Sequence, residues 1–272
     1  MPEVVVAPAR GWTALQLGEL WSHRDLLYFL AWRDVKVRYT QAALGVAWAV
    51  VQPLLMMAVF SIFLGRLAKV PSDGIAYPVF VFSGLVPWTY FANAVATSTE
   101  SLVSSSNLVS KVYFPRLVMP VAAVLSWLPD LIIASVILVG LMLLRGLVPA
   151  WTAVLVPVVM VNALVAAACV GVWTSALNVA YRDVRYAIPF MIQLGLFASP
   201  VVYSSSLVPQ RWRALYGLNP MAGVIEGFRW ALLGRGHAPW SLIAVSAVTA
   251  IALLVGGLFY FRRVERGFAD VI

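Results

Sequence analysis

The sequence predicts an all-α integral membrane protein, and three observations carry that prediction. Of its 272 residues, 62% are hydrophobic and only 11% are charged, against about 25% charged in a soluble domain. The apolar residues fall into runs of roughly 20, the length that crosses a bilayer as a helix. Lys and Arg, which give a net charge of +8, gather at the ends of those runs. There they read as topology signals and lipid-headgroup contacts, not as a nucleic-acid surface.

From the N-terminus, residues 1–14 read as a flexible tail, and residues 15–272 as one membrane domain. No cleavable leader is visible: Pro2, Pro8 and Gly11 interrupt the first 20 residues, and no apolar core follows a basic start. From Leu15 to Tyr39 the pattern turns helical. Tyr28, Ala31, Trp32, Val35 and Tyr39 share one face, with Arg33, Asp34, Lys36 and Arg38 elsewhere on the wheel. This suits an amphipathic helix lying in the membrane interface.

Six spans follow. The first, about 42–65, is free of charge for 24 residues and carries Gln52-Pro53 in its middle. A short outer loop with Arg66, Lys69, Pro71, Asp73 and Gly74 leads to the second, about 77–99, whose first half is expected to break at Pro87-Trp88. Between spans two and three lies a polar elbow, Ser104 to Arg116, read as a short helix across the cytoplasmic mouth. The third span, about 117–144, contains Pro120, Pro129 and Asp130; the fourth covers about 152–180; the fifth, about 186–203, is interrupted by Pro189 and Ser199-Pro200. The segment Ser204–Pro239 is too broken by Gly and Pro for a span and too apolar for a free loop. Two short re-entrant helices fit it, since irregular backbone at membrane depth is tolerated only against protein or a water-filled cavity. The sixth span, about 241–261, ends in Arg262, Arg263 and Arg266. An even number of spans puts both termini on one side. The positive-inside rule makes that side cytoplasmic, with 12 of the 19 Lys/Arg in the inner segments.

The chemistry absent from the sequence narrows the function. No Gly-x-x-x-x-Gly-Lys-[Ser/Thr] occurs, so the chain holds no ATP in a P-loop. His23 and His237 lack metal-hydrolase spacing, and the single Cys169 can form no intrachain disulfide. Neither an enzyme nor a metal site is expected. Asp130 is the one acidic residue deep in a span, which leaves two readings open. It is either a proton-relay group of a secondary transporter, or a carboxylate paired with a neighbouring helix or facing a water-filled path. Trp88, Tyr90, Phe91 and Tyr203 fall near the outer half of the spans, where aromatic faces could stack on sugar rings. Gly223-Val224-Ile225-Glu226-Gly227 has the spacing of close helix packing, though these glycines could equally serve turns. Glu226 and Arg229, three apart, are placed to pair.

Five stretches carry a family resemblance: Leu30-Ala31-Trp32-Arg33-Asp34-Val35-Lys36-Val37-Arg38-Tyr39, Leu44 to Pro53 (LGVAWAVVQP), Ser110 to Arg116 (SKVYFPR), Leu177 to Tyr186 (LNVAYRDVRY) and Leu218 to Arg229 (LNPMAGVIEGFR). In this order, from about residue 20 to the end, they resemble the permease subunit of ABC-2-type polysaccharide and polyol-phosphate exporters, of the O-antigen and teichoic-acid type. The resemblance implies a homodimer of six-span permeases in the bacterial cytoplasmic (inner) membrane, working with a separate ATP-binding subunit that binds ATP and Mg; this chain itself would hold no cofactor. It implies a lipid-linked polysaccharide as cargo. It assigns Asn107, Lys111, Tyr113, Pro115 and Arg116 of the elbow, with Arg182, Asp183 and Arg185 of the second inner loop, to the ATPase-coupling surface. Asn219, Pro220, Glu226 and Arg229 fall in an outer gate. The alternatives are an ABC-2 exporter of a small molecule or lipid and a proton-coupled transporter built on Asp130.

Overall fold

The computed structural model describes residues 17–40, 46–106, 108 and 114–268, and among these every regular element is helical. The tail expected over residues 1–14 lies outside them. Two helices, α1 (Leu17–Ser22) and α2 (Arg24–Thr40), precede the membrane-length segments. Then come α3 (Val46–Phe60), continued by a π-helical stretch Ser61–Leu67, and α4 (Tyr77–Ser104). The third apolar run is divided into α5 (Val118–Leu125) and α6 (Leu128–Leu144). A 3₁₀ turn, Trp151–Leu155, opens α7 (Val156–Ala180), which is followed by α8 (Val184–Ala198). The broken segment holds α9 (Arg213–Tyr216) and α10 (Pro220–Leu233), and α11 (Trp240–Val264) closes the bundle.

Among the described residues, five segments are long and apolar enough to cross a membrane: Val50–Leu67, Tyr77–Ser104, Val118–Leu144, Trp151–Ala180 and Trp240–Val264. The fifth apolar run differs from expectation. Its helix α8 has 15 residues, about 22 Å at the α-helical rise, and stops at Ala198. Pro200 disfavours helical backbone at the residue before it, and Ser199 is extended, with φ −107° and ψ 155°.

Helix α4 is the axis of the bundle and packs against α3, α5, α6, α7, α8 and α10. Contrary to the expected break, it runs unbroken through Pro87. Seventeen of its residues are buried, among them Phe80, Phe82, Leu85, Trp88 and Tyr90. Helix α3 and its π-helical continuation, by contrast, leave Leu55, Val59, Ile62 and Phe63 exposed on the outside of the bundle, the surface that lipid covers in a membrane protein.

The break between α5 and α6 has a local cause and local repairs. Pro129 sits in the first turn of α6 and has no N–H to continue the ladder. The backbone carbonyls around the break find side-chain donors instead. Ser126 Oγ donates to Ala123 O (2.8 Å), the Tyr90 hydroxyl from α4 to Val124 O (3.3 Å), and Arg38 Nη2 from α2 to Ser126 O (3.1 Å). Buried carbonyls left without partners would each cost about 1–3 kcal/mol, so three elements are tied to one irregular point.

Helix α10 is buried along most of its length against α4, α7 and α11. Asn219 caps it, its side chain accepting from Met221 N–H at 3.0 Å; Pro220 occupies the first turn; and Gly234 ends it in the left-handed region at φ 60°. The small residues Gly223 and Gly227 face α11. A Cβ on Gly223 would stand 2.7 Å from Ser246, and one on Gly227 3.2 Å from Ile243. The spacing read from sequence is thus a packing seam, stitched by a 3.0 Å bond from Gly223 N–H to Ser246 Oγ.

Candidate functional site

Chain direction gives the bundle two ends. Helices α1 and α2, Pro115-Arg116, the 181–184 turn and the C-terminal residues 262–268 lie at one, the α2 end. The 68–76 loop, the 199–216 segment and the start of α11 lie at the other, the α10 end.

At the α2 end, Asp130 has a partner. Arg38 Nη1 donates to its Oδ2 at 2.6 Å. The same guanidinium reaches Ser126 O and Ser126 Oγ at 3.1 and 3.0 Å and stacks on Trp127 at 3.5 Å from the ring centroid. Trp127 in turn donates from Nε1 to Thr97 Oγ1 of α4 at 2.9 Å. Burial pulls the Arg38 guanidinium below its usual pKa, with the Asp130 carboxylate opposing that shift. Arg38 thus clamps α2 to the α5–α6 break. Beside the clamp opens a cleft of about 640 Å³ between α2, α4 and α5, lined by Arg33, Asp34, Glu100 and Ser101 as well as Met119 and Trp127.

This arrangement sets which side of α2 meets the bundle. Leu30 and Val35 are buried, and Arg38 turns inward, whereas Tyr28 and Trp32 are 70% and 55% exposed. The wheel grouped the aromatics with Val35 as one apolar face. In the structure Tyr28 and Trp32 point away from the bundle while Tyr39 is half-buried, and the inward cation meets the carboxylate on α6. Asp130 was legible as a solitary acid; its partner, 92 positions away, was not.

The elbow joins the C-terminus. Arg116 N–H donates to Glu265 Oε1 at 3.1 Å, and its guanidinium also bonds the Glu265 carbonyl. Arg262 bridges Glu265 (3.2 Å) and Glu19 of α1 (3.3 Å). Phe268 is buried edge-on against Phe261, with ring centroids 5.4 Å apart. Pro115 is half-buried at the start of this joint. Asn107, Lys111 and Tyr113 lie outside the described residues. Glu265 and Glu19 were not foreseen, since nothing local marks a carboxylate whose partners come from both ends of the chain.

Between α7 and α8 and at the start of α8, Arg182, Asp183 and Arg185 are all exposed. Asp183 starts α8 by accepting at its carbonyl from Tyr186 and Ala187 N–H, and Arg185 donates to the Tyr186 hydroxyl at 2.6 Å. None of the three is ion-paired among the described residues.

At the α10 end the expected pair is present: Arg229 Nη1 lies 2.9 Å from Glu226 Oε1. Arg229 is only 4% exposed. It also donates to the carbonyls of Pro200 (3.0 Å) and Val201 (3.3 Å) and lies 3.8 Å from the Phe80 ring centroid. Burying this cation is sustainable because nearly every donor is used. Asn219 Nδ2 donates to Ser199 Oγ at 2.8 Å, tying the start of α10 to the end of α8, and Pro220 is half-buried. The four aromatics expected on a path do not form one surface. Trp88 and Tyr90 are packed in the core; Phe91 is half-buried, its ring centroid 5.4 Å from that of Trp88; and Tyr203 is half-buried and shares a 3.0 Å hydrogen bond with Tyr216. In this conformation only Phe91 and Tyr203 have faces to offer. Cys169 is buried and free, and among the described residues no group of three His, Cys, Asp or Glu side chains could hold a metal.

An all-helical bundle with several membrane-length helices, buried ion pairs at both ends and an irregular segment packed inside has the architecture of a polytopic membrane protein. Residues 25–233 match the model of the ABC-2 type transporter family, and the chain belongs to that family. Among its relatives, the O-antigen export system permease protein RfbA of Myxococcus xanthus is 30% identical, over 93% of this chain and 98% of that protein. A protein of the same name from Klebsiella pneumoniae is 27% identical over 91% and 95%. The polysialic acid transport protein KpsM of Escherichia coli is 23% identical over 86% and 91%.

Proposed function

We propose that this chain is the membrane-spanning subunit of an ATP-driven exporter of a lipid-linked polysaccharide, in the cytoplasmic (inner) membrane of a bacterium. The observation that carries this reading is the end-to-end match to O-antigen export permeases, together with the match to a polysialic acid transport protein. The relatives differ in polymer and share the length of this chain, so a polysaccharide cargo is their common ground. ATP and Mg belong to a separate ATP-binding subunit, and two copies of this permease form the path.

The rest of the architecture follows. The apolar run 186–203 makes the fifth span and brings the total to six, α8 being completed by the extended residues after it. The α2 end faces the cytoplasm, in keeping with the basic residues 24–38, 182–185 and 262–266. Pro115-Arg116, the rest of the elbow with Asn107, Lys111 and Tyr113, and the exposed loop Arg182, Asp183 and Arg185 receive the push of the ATPase. Arg116 passes it to the C-terminus through Glu265, and Arg38 passes it to the third span. Asn219, Pro220, Glu226 and Arg229 belong to the outer gate. A proton-relay role for Asp130 is disfavoured, because the carboxylate is occupied by Arg38 at 2.6 Å.

The test is deletion of the gene with measurement of lipid-linked glycan on each side of the inner membrane. Accumulation inside with loss from the surface is the expected result. Unchanged pools on both sides, with no second exporter compensating, would overturn the polysaccharide reading in favour of a small-molecule or lipid cargo. Lys111→Ala and Arg116→Ala should leave ATP hydrolysis by the complex running while export falls; normal export by both would remove the elbow from the mechanism.

A further inference from the structure

A second cavity, of about 660 Å³, lies at the α10 end and has no part in the clamp or the elbow. Its wall comes from stretches far apart in sequence: Asp73 and Ile75, Ser204 to Ser206, Arg213 and Tyr216, and residues from Glu226 to Val245. The deep part of the wall is polar and already satisfied. Arg229 is engaged with Glu226 and two carbonyls; Glu226 also accepts from Ser205 N–H at 3.2 Å. Asp73 accepts from the hydroxyls of Ser204 and Ser206.

The rim is different. Arg213 and Arg235 line the same cavity and are exposed. Each has one hydrogen bond, to a backbone carbonyl: Arg213 Nε to Val208 O at 3.2 Å, and Arg235 Nη1 to Gly74 O at 2.8 Å. A guanidinium has five N–H donors in a planar fork matched to carboxylate and phosphate oxygens. Neither arginine has a carboxylate within ion-pair distance among the described residues. Two cations with most of their donors free therefore face one cavity, whose buried cation is neutralised by Glu226 and whose other carboxylate is held by two hydroxyls. The half-buried Trp230, its ring 5.4 Å from that of Trp240, adds an aromatic surface, and His237 a further hydrogen-bonding group.

We propose that this cavity binds an oxyanion carried on a hydroxylated chain: the guanidiniums of Arg213 and Arg235 take the anion, and Trp230, Ser205, Ser206 and His237 take the adjoining sugar. The shared chemistry is the oxyanion, which either a phosphate of the lipid anchor or the carboxylate of an acidic sugar supplies. The inference rests on the reading above, in that it takes the cargo to be a glycan and this end of the bundle to face away from the cytoplasm. It goes further by giving the outer end its own anion-selective site.

The test uses the purified full chain in lipid nanodiscs, without ATP or a partner. Binding of inorganic pyrophosphate, glucuronate and glucose is followed by ligand-observed NMR. At least one of the two anions should bind and glucose should not. The variant Arg213→Gln/Arg235→Gln should weaken anion binding at least about tenfold, and each single variant less, as expected when charge-assisted bonds to one anion are removed in turn. Arg66→Gln, an exposed cation of the neighbouring loop, should leave binding unchanged. Pyrophosphate as the preferred ligand identifies the lipid anchor, and glucuronate an acidic polymer. The proposal is overturned if neither anion binds, if glucose binds equally well, or if both single variants and the double variant bind as the parent does. None of these readouts depends on export, so their failure leaves the exporter reading intact, and a failed gene-deletion test leaves the binding result intact.

Discussion

Replacing Arg38 by alanine removes an ion pair, two hydrogen bonds to Ser126 and the stack on Trp127 in one step. The Asp130 carboxylate then stays behind, its side chain 14% exposed against 23% for Arg38. Breaking a buried pair by removing one partner costs about 3–5 kcal/mol, and the solvent still reaching both groups puts this case near the lower bound, about 3 kcal/mol. Asp130→Asn keeps an acceptor and leaves Arg38 its bonds to Ser126, so about 1–2 kcal/mol is expected. The two changes address one interaction, so the double variant should be more stable than the sum of the single losses by at least about 1.5 kcal/mol. The assay is reversible unfolding of the purified protein in mixed micelles, run as a full double-mutant cycle. An Arg38→Ala loss below about 0.5 kcal/mol, or additivity of the two changes within about 0.5 kcal/mol, would refute the clamp.

Four further outcomes are expected. Gly223→Ala forces a Cβ to 2.7 Å from Ser246 and 2.8 Å from the Leu242 carbonyl, and should cost about 1–3 kcal/mol. At Gly227 the obstacle is the flexible tip of Ile243 at 3.2 Å, and Gly227→Ala should cost under about 1 kcal/mol; equal losses in thermal unfolding at both sites would contradict the seam. Arg229→Met strands Glu226 and two carbonyls and should destabilise by about 3 kcal/mol or more, with faster proteolysis of the 199–216 segment as an independent readout. Phe268→Ala empties a buried site against Phe261; a loss of about 3 kcal/mol should appear as easier carboxypeptidase access to residues beyond Val264.

The membrane class and the all-helical character were readable from the sequence, because lipid imposes a simple code of length and charge. Pairings between elements were a different matter. Glu226 with Arg229 could be foreseen from their spacing on one helix, and the Gly223/Gly227 seam from theirs. Arg38 with Asp130, and Arg116 with Glu265, join positions with no local relation. Helix wheels also cannot say which side of an amphipathic helix meets protein, so the inward turn of Arg38 was not visible in the apolar face that joined Trp32 to Val35. Pro87 predicted a break that α4 does not make: packing on several sides holds the helix together where propensity alone would end it. The burial of Trp88 and Tyr90 has the same origin, since an aromatic on the most enclosed helix fills the core wherever it stands along the axis.

The seam between α10 and α11 has a mechanical consequence. Gly223 and Gly227 remove the spacing side chains, so the two helices have no room to slide or tilt against each other. Arg229 fastens the opposite side of α10 to α4 and to the carbonyls after α8. A helix fixed on both flanks makes a poor flap: swinging it out alone would expose a buried guanidinium and open the glycine seam together. Widening the α10 end at lower cost means moving α4, α10 and α11 as a single rigid wedge, so the travel falls at the border of that wedge and not within it.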